Sequence, residues 1–350
     1  MIEAVATAPV LGSPTTTDRR GASLFRRTLF ERASIYTPKP TLPCWSRAIE
    51  WYKPKGRRVR CRESIPPKLS PVNLTDDEFE AVRRDPDPLR RGRRATELIT
   101  FYQQRATELA RLRRASISEA YHNLGMNYTE IAAELGITKG RITQIRTSAP
   151  PPERAFFGVG PVAVGIPRRY GFEEGRERSF FDAADTAAQA AMEATLGRLS
   201  LVSTKFAIEP DCEVVPEGDA VVICGPKSAP VARTLLAGDP YLDFLQAEDR
   251  WWITDSRDGR RFDSPYRRPD STIQSDVGYF GRHVIGNRIV LHVAGIMSVG
   301  SLGVCQWIES NIAKLYDGNE THSISGVVHC DFDDNFAIVD TRLIAGPYLW

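Results

Sequence analysis

One stretch limits what this chain can fold into more than any other: Asn127 to Arg146, which reads NYTEIAAELGITKGRITQIR. Tyr128, Ile131, Ala132 and Leu135 recur at helical spacing and Gly136 breaks the pattern. Ile137 follows, and Thr138 is placed to cap a second helix whose apolar positions are Ile142 and Ile145. Helices this short rarely persist alone, so the pair needs something to pack against. The glycine permits a turn that a residue with a Cβ adopts only at a cost, and the second helix can then cross the first at the angle that fits a major groove. The spacing therefore predicts a helix-turn-helix over residues 127–146. Thr138 stands at the head of its second helix, and the outward positions are Lys139, Arg141, Thr143, Gln144 and Arg146. All are polar or cationic types suited to phosphates or base edges. A hairpin used only for packing needs neither the Gly-Ile-Thr junction nor that cationic face.

The segment YTEIAAELGITKGRITQI resembles the region 4 helix-turn-helix of sigma-70 family factors, in which a pattern such as YEEIAxxLGISxGRVSQI is common. The resemblance implies contact with double-stranded DNA through residues 138–146, and it brings RNA polymerase into view as a second partner. No stretch resembles the aromatic-rich region 2 that opens promoter DNA, so what is implied is a region 4-like module.

Charge divides the chain by region. Residues 1–72 carry 14 basic and 5 acidic side chains, residues 73–154 carry 14 and 12, and residues 155–350 carry 18 and 27, although the whole chain is close to neutral at +2. From Leu89 to Arg146 the balance is 11 basic to 5 acidic. A polyanion is attracted to that region and repelled by the C-terminal half. The six cysteines, at positions 44, 61, 212, 224, 305 and 330, form no CxxC pair and no His/Cys cluster, so neither a zinc site nor a disulfide framework is expected. The longest apolar run, Ile289 to Val299, is too short to span a bilayer and contains His292. No secretory signal is legible at the N-terminus, and a cytoplasmic location without membrane attachment is the expectation.

Four regions follow from composition. Residues 1–72, punctuated by prolines and rich in arginine, are expected to be a disordered basic extension. Residues 73–148 are expected to form a helical DNA-binding domain, with a short helix ended by Pro86 and Pro88. A longer helix follows, whose Leu98, Tyr102, Leu109, Leu112, Ile117, Ala120 and Leu124 form an apolar face for the helix-turn-helix. Residues 149–154 (APPPER) are expected to be a proline linker. Residues 155–350 alternate strand-like and helix-like runs, which predicts a Rossmann-like α/β domain with a largely parallel sheet and an antiparallel edge. The span from Gly160 to Pro347 is also similar to uncharacterised actinobacterial regulators that follow a region 4-like motif, a resemblance that implies an architecture and no activity.

Two strand-to-helix junctions of that domain are candidates for holding a ligand. In VVICGPKSAPVARTLL the candidates are Gly225, Lys227 and Ser228, and in IVLHVAGIMSVGSLGVCQWI they are Gly295, Gly300, Ser301 and Gly303. Uncovered backbone amides, hydroxyls and one lysine suit an anionic small molecule, most plainly a nucleotide. Neither loop has true P-loop spacing, and glycines that serve only tight turns explain them as well. Catalytic constellations are weak. His292 lies mid-strand, and Asp331, Asp333 and Asp334 read as a turn before they read as a cation site. The expectation is a sequence-specific DNA-binding regulator with a C-terminal sensor domain, needing no metal or cofactor. A nucleotide-processing enzyme targeted by its helix-turn-helix, and a polymerase-associated sigma-like factor, stand as alternatives.

Overall fold

The long helix at the centre of the structure starts because Asp87 and Pro88 start it. The Asp87 carboxylate accepts the amides of Leu89 and Arg90, and Pro88 occupies the first turn, where its missing N–H is no loss. The computed structural model describes residues 76–268, 272–316 and 320–350. The extension expected over residues 1–72 lies outside them. Four helices come first: α1 (Asp76–Arg83), α2 (Pro88–His122), α3 (Tyr128–Glu134) and α4 (Lys139–Ser148).

Local chemistry sets the ends of α3 and α4. Asn127 caps the amides of Thr129 and Glu130 while Glu130 returns a bond to the Asn127 amide, a complete capping box. Thr138 accepts the Arg141 amide at 3.1 Å. Gly136, between the helices, has φ +63°, the left-handed conformation that glycine takes without strain. Ile131, Ala132, Ile142 and Ile145 meet Ile117 of α2 in one small apolar core.

The face of α2 that packs is not the one its apolar residues predict. Ile117 and Ala120 do join α3 and α4, but Tyr102, Leu109, Leu112 and Leu124 are exposed. The buried face carries Gln104, Glu108 and Arg111, three and four residues apart, and it turns toward the C-terminal half. Hydrogen bonding decides this inversion. Arg111 donates to Glu108, to Glu320 at 2.8 Å and to the Tyr316 hydroxyl at 3.1 Å. Gln104 accepts from Arg154 at 3.0 Å and from the Val202 amide at 3.2 Å.

Arg154 lies in a 3-10 helix, Pro152–Phe157, into which the proline segment leads directly. Arg154, Phe156 and Phe157 are buried, so the segment expected as a linker ends inside the structure. The Arg154 guanidinium donates to the carbonyls of Val159 (2.6 Å) and Ser200. Arg282, equally buried, ties the same 3-10 helix to the sheet by donating to Phe156 O at 2.8 Å and to His322 O at 2.6 Å.

Beyond it run β1 (Val162–Pro167), β2 (Arg169–Glu173), β3 (Arg176–Phe180), α5 (Ala183–Arg198), β4 (Ser203–Ile208), β5 (Ala220–Ile223) and α6 (Pro230–Leu236). They are followed by β6 (Leu242–Ala247), β7 (Arg250–Asp255), β8 (Arg261–Phe262), β9 (Ser275–Ile285), β10 (Arg288–Gly295), α7 (Ser298–Tyr316), β11 (Ile324–Phe332) and β12 (Ile338–Leu349). Seven strands form one mixed sheet in the order β12-β11-β9-β10-β5-β1-β4. The pairs β4–β1, β1–β5 and β5–β10 are parallel, and β10–β9, β9–β11 and β11–β12 are antiparallel. The expected antiparallel edge is thus half of the sheet. One face is covered by α5, α7 and the 3-10 helix, the other by α6 and the small sheet β6-β7-β8. An architecture of helices with a mixed seven-stranded sheet is the result.

If Arg154 is the clasp between α2 and the sheet, Arg154→Ala strands several buried acceptors and should cost about 3 kcal/mol or more of unfolding free energy. Urea unfolding of the purified chain measures it. A loss below about 1 kcal/mol, the size of an ordinary single hydrogen bond, would show that the clasp lies elsewhere.

Candidate nucleic-acid interface and ligand sites

The outward residues of the helix pair lie where the helical period puts them. Thr138, Lys139, Arg141, Thr143, Gln144 and Arg146 are all exposed, while Ile142 and Ile145 between them are buried. Their roles divide. Thr138 spends its oxygen on the cap of α4. Arg141 donates to Gln144 at 2.5 Å, so the two form a preset pair, and Arg146 lies over the Tyr128 ring at 4.5 Å. That ring stacks on Tyr121 of α2 at 4.5 Å, so a chain of contacts runs from the long helix to the last turn of α4. Lys139 extends from the first turn of α4 with no ion pair among the described residues.

The two strand-to-helix loops meet as the sequence suggests. Their glycines face each other, with the position a Cβ would take on Gly225 lying 3.7 Å from Gly295 O. The space they share with Lys227, Phe244, Trp251 and Ile296 amounts to about 160 Å³ and nowhere admits a water molecule.

Nor are the amides free. Asp276, on β9, is fully buried and its Oδ2 accepts the amides of Met297 and Gly300, each at 2.9 Å, at the start of α7. Ser301 accepts the Gly295 amide at 2.8 Å. Gly300 and Gly303 serve close packing: a Cβ on Gly300 would stand 2.5 Å from Asp276 Oδ2, and one on Gly303 2.4 Å from Cys330 Cβ. Gly295, Gly300, Ser301 and Gly303 are therefore buried, and the anion expected at this helix start is already supplied by the protein. Burial pushes the Asp276 carboxyl up to about 6, against the pull of its hydrogen bonds and of Lys227.

In the first loop, Ser228 closes a turn by donating its amide to Gly225 O at 2.9 Å. Lys227 is exposed along its stem, but its ammonium turns inward to Ile296 O at 2.5 Å. Lost hydration draws its pKa down; Asp276 opposes the shift and Arg267 and Arg169 add to it. Arg169 and Arg267 are thus near Lys227, and Arg169 pairs at 2.8 Å with buried Asp185. Sequence reasoning passed over both arginines, since nothing local links Arg169, at the head of a hairpin, with Lys227.

A different opening was missed as well. A cavity of about 420 Å³ lies between the last turns of α2 and the chain leaving α4, walled by Arg114, Ala115, Ser118 and His122 on one side and by Pro150 and Pro152 on the other. The proline run was its one legible sign, because consecutive prolines make a stiff wall.

No protein-family model, curated protein or solved structure matches this chain.

The other chemistry is structural. Asp333 accepts the amides of Asn335 and Ala337 in the turn before β12, and Asp331 pairs with Arg342 at 3.1 Å. Among the described residues no three His, Cys, Asp or Glu side chains converge as a metal site would need. His292 is fully buried with Nε2 at 2.8 Å from Cys224 O, so that nitrogen carries the proton, and Nδ1 has no partner.

Burial pushes His283 down to about 4 and His292 to about 3. A histidine depressed in the fold leaves the unfolded chain with more bound protons between the folded value and about 6.5, so its contribution to stability is complete above that pH and is lost as pH falls. Unfolding free energy should therefore decline on acidification from about 6.5 toward 4, by up to about 1.4 kcal/mol per pH unit for each such histidine. In His292→Gln, which keeps a donor for Cys224 O, the decline should be shallower. Equal slopes in chemical denaturation of the two proteins would mean that His292 titrates normally in the fold.

Proposed function

We propose that this chain is a sequence-specific, DNA-binding transcription regulator. In this reading α3 and α4 form a helix-turn-helix of the sigma-70 region 4 type, and a Rossmann-like C-terminal half senses an anionic small molecule. The observation that carries the DNA half is the division of α4: its two isoleucines are buried on α2 and α3, and every cationic or amide residue faces solvent. A short helix held from behind by an apolar triangle, with its N-terminal residues free, has the form in which a recognition helix enters a major groove. The Arg141–Gln144 pair offers a guanidinium fork and an amide side by side, groups that recognise guanine and adenine edges respectively.

The parallel half of the sheet supports the Rossmann-like part of the reading. Its order β4-β1-β5-β10 places the first strand inside, and the connecting helices α5 and α6 lie on opposite faces. Strand connections therefore diverge between β1 and β5, where sheets of this build hold ligands beyond the carboxyl ends of their strands. Lys227 lies on the loop after β5 and Arg169 just after β1, cations that suit an anion although Asp185 and Asp276 partly offset them.

Duplexes selected from a random library by the full chain, then measured by fluorescence anisotropy at several salt concentrations, test the DNA reading. Arg141→Ala should weaken the selected site by about 1 to 3 kcal/mol and relax one base position. Lys139→Ala should weaken all duplexes alike and lower the salt slope by about one. Binding that both substitutions leave unchanged would remove α4 as the reader.

A further inference from the structure

The cavity between α2 and the exit of α4, an open cleft whose α2 wall is largely exposed, has the size of a ligand site, and its position makes it more than a gap. At about 420 Å³ it falls within the range of small-molecule sites, roughly 300 to 1,000 Å³. One wall is the last third of a helix whose middle is held by Arg111 to Glu320, after α7, and by Gln104 to Arg154 of the 3-10 helix. The other is Pro150 and Pro152, which follow Ala149, the residue that ends α4.

Arg114 stands between them. Its neighbour Arg111 spends its charge on Glu108 and Glu320, but Arg114 makes a single long hydrogen bond, Nη1 to Ala149 O at 3.4 Å. A guanidinium presents five N–H donors in a planar fork, so most of this one's capacity, on the cavity wall, is unspent among the described residues. Ser118, His122 and Asn123 add hydroxyl, imidazole and amide groups, while Ala115 and the two proline rings supply an apolar lining. Glu119 also lies on the wall and is exposed. Its carboxylate repels a second negative group, which favours a ligand with one compact anionic head over a di- or polyphosphate.

We propose that this cavity binds a small monocarboxylate with an apolar body, its carboxylate held by the Arg114 fork and its body laid between Ala115 and the proline rings. This goes beyond the functional reading by adding a ligand site at the joint, apart from the strand-to-helix loops, and only its link to DNA rests on that reading. Arg114 then leaves the Ala149 carbonyl, so the ligand trades a contact at the end of α4 for one of its own. Occupancy is thereby linked to the seat of the DNA-facing helix, and by reciprocity DNA changes the affinity for the ligand.

The experiment is calorimetric titration of the full chain with phenylacetate, with phenyl phosphate and benzyl alcohol beside it, in the wild type, Arg114→Gln and Ala115→Trp. Both substituted positions lie on the surface of α2, and unchanged melting temperatures establish that the variants fold. Phenylacetate should bind at about 1 mM, as expected for so small a probe, with phenyl phosphate weaker and benzyl alcohol weaker still. Arg114→Gln should weaken it tenfold or more, and Ala115→Trp should abolish it by filling the space. No saturable phenylacetate binding in the wild type, binding that neither substitution alters, or phenyl phosphate bound more tightly than phenylacetate would each overturn the proposal. The Arg141→Ala protein separates the two readings. Phenylacetate binding there with selected DNA lost supports both, whereas phenylacetate binding in a wild type that ignores all duplexes removes the regulator and leaves the site.

Discussion

Three guanidinium groups with almost no exposure hold this structure together. Arg154, Arg282 and Arg111 lie at 0%, 1% and 2% exposure, and between them they join α2, the 3-10 helix, the end of α5, β9 and the segment after α7. Most of their partners are backbone carbonyls, groups that connecting loops must leave unpaired unless something reaches them. An arginine can serve several at once because its donors diverge in a plane. The cost is desolvation, visible in Arg282, whose pKa burial draws down to about 10, and in Arg154, which is lowered for the same reason. Asp219 does the complementary task with its carboxylate, accepting the amides of Val159, Gly160 and Ile289. The joint between the helices and the sheet is thus polar and specific in geometry, where a hydrophobic seam would tolerate sliding.

That joint explains which parts of the fold were legible in the sequence. The helical spacing from Tyr128, the glycine at position 136 and the threonine cap at position 138 are signals read within a few residues of where they act, so the helix pair forms over the stretch expected, and the structure adds a capping box at Asn127. The orientation of α2 was misjudged because hydropathy carries no trace of partners 50 and 209 residues away in the chain, Arg154 for Gln104 and Glu320 for Arg111. Strand β9, central and buried along most of its length, was missed for a related reason. Its Asp276, Gly278, Gly281, Arg282 and His283 interrupt any apolar run, yet each answers to a neighbour the sequence does not display. Gly278 gives room to α7 at Gly300, and Gly281 makes a hollow that the Tyr279 hydroxyl fills.

The candidate sites divide along the same line. The exposure of Thr138, Lys139, Arg141, Thr143, Gln144 and Arg146 follows from helical period alone, and the structure places them accordingly. The meeting of the two glycine loops was also legible, since both follow apolar strands. What could not be read was the state of the amides in the second loop, because the carboxylate that engages them arrives from another strand more than twenty positions earlier in the chain. The cavity at the joint shows in the sequence only through its proline wall. It exists because α2 continues past its last anchor on the sheet and the proline segment has to return beside it.

Asp276 has a consequence for how this half of the molecule treats free anions. A carboxylate held by the protein at the start of α7 is a tethered surrogate: it meets the amides there without paying the entropy of association, so a free anion of equal chemistry loses the competition at any ordinary concentration. The helix keeps the electrostatic polarity of a receptor while its guest is part of the host.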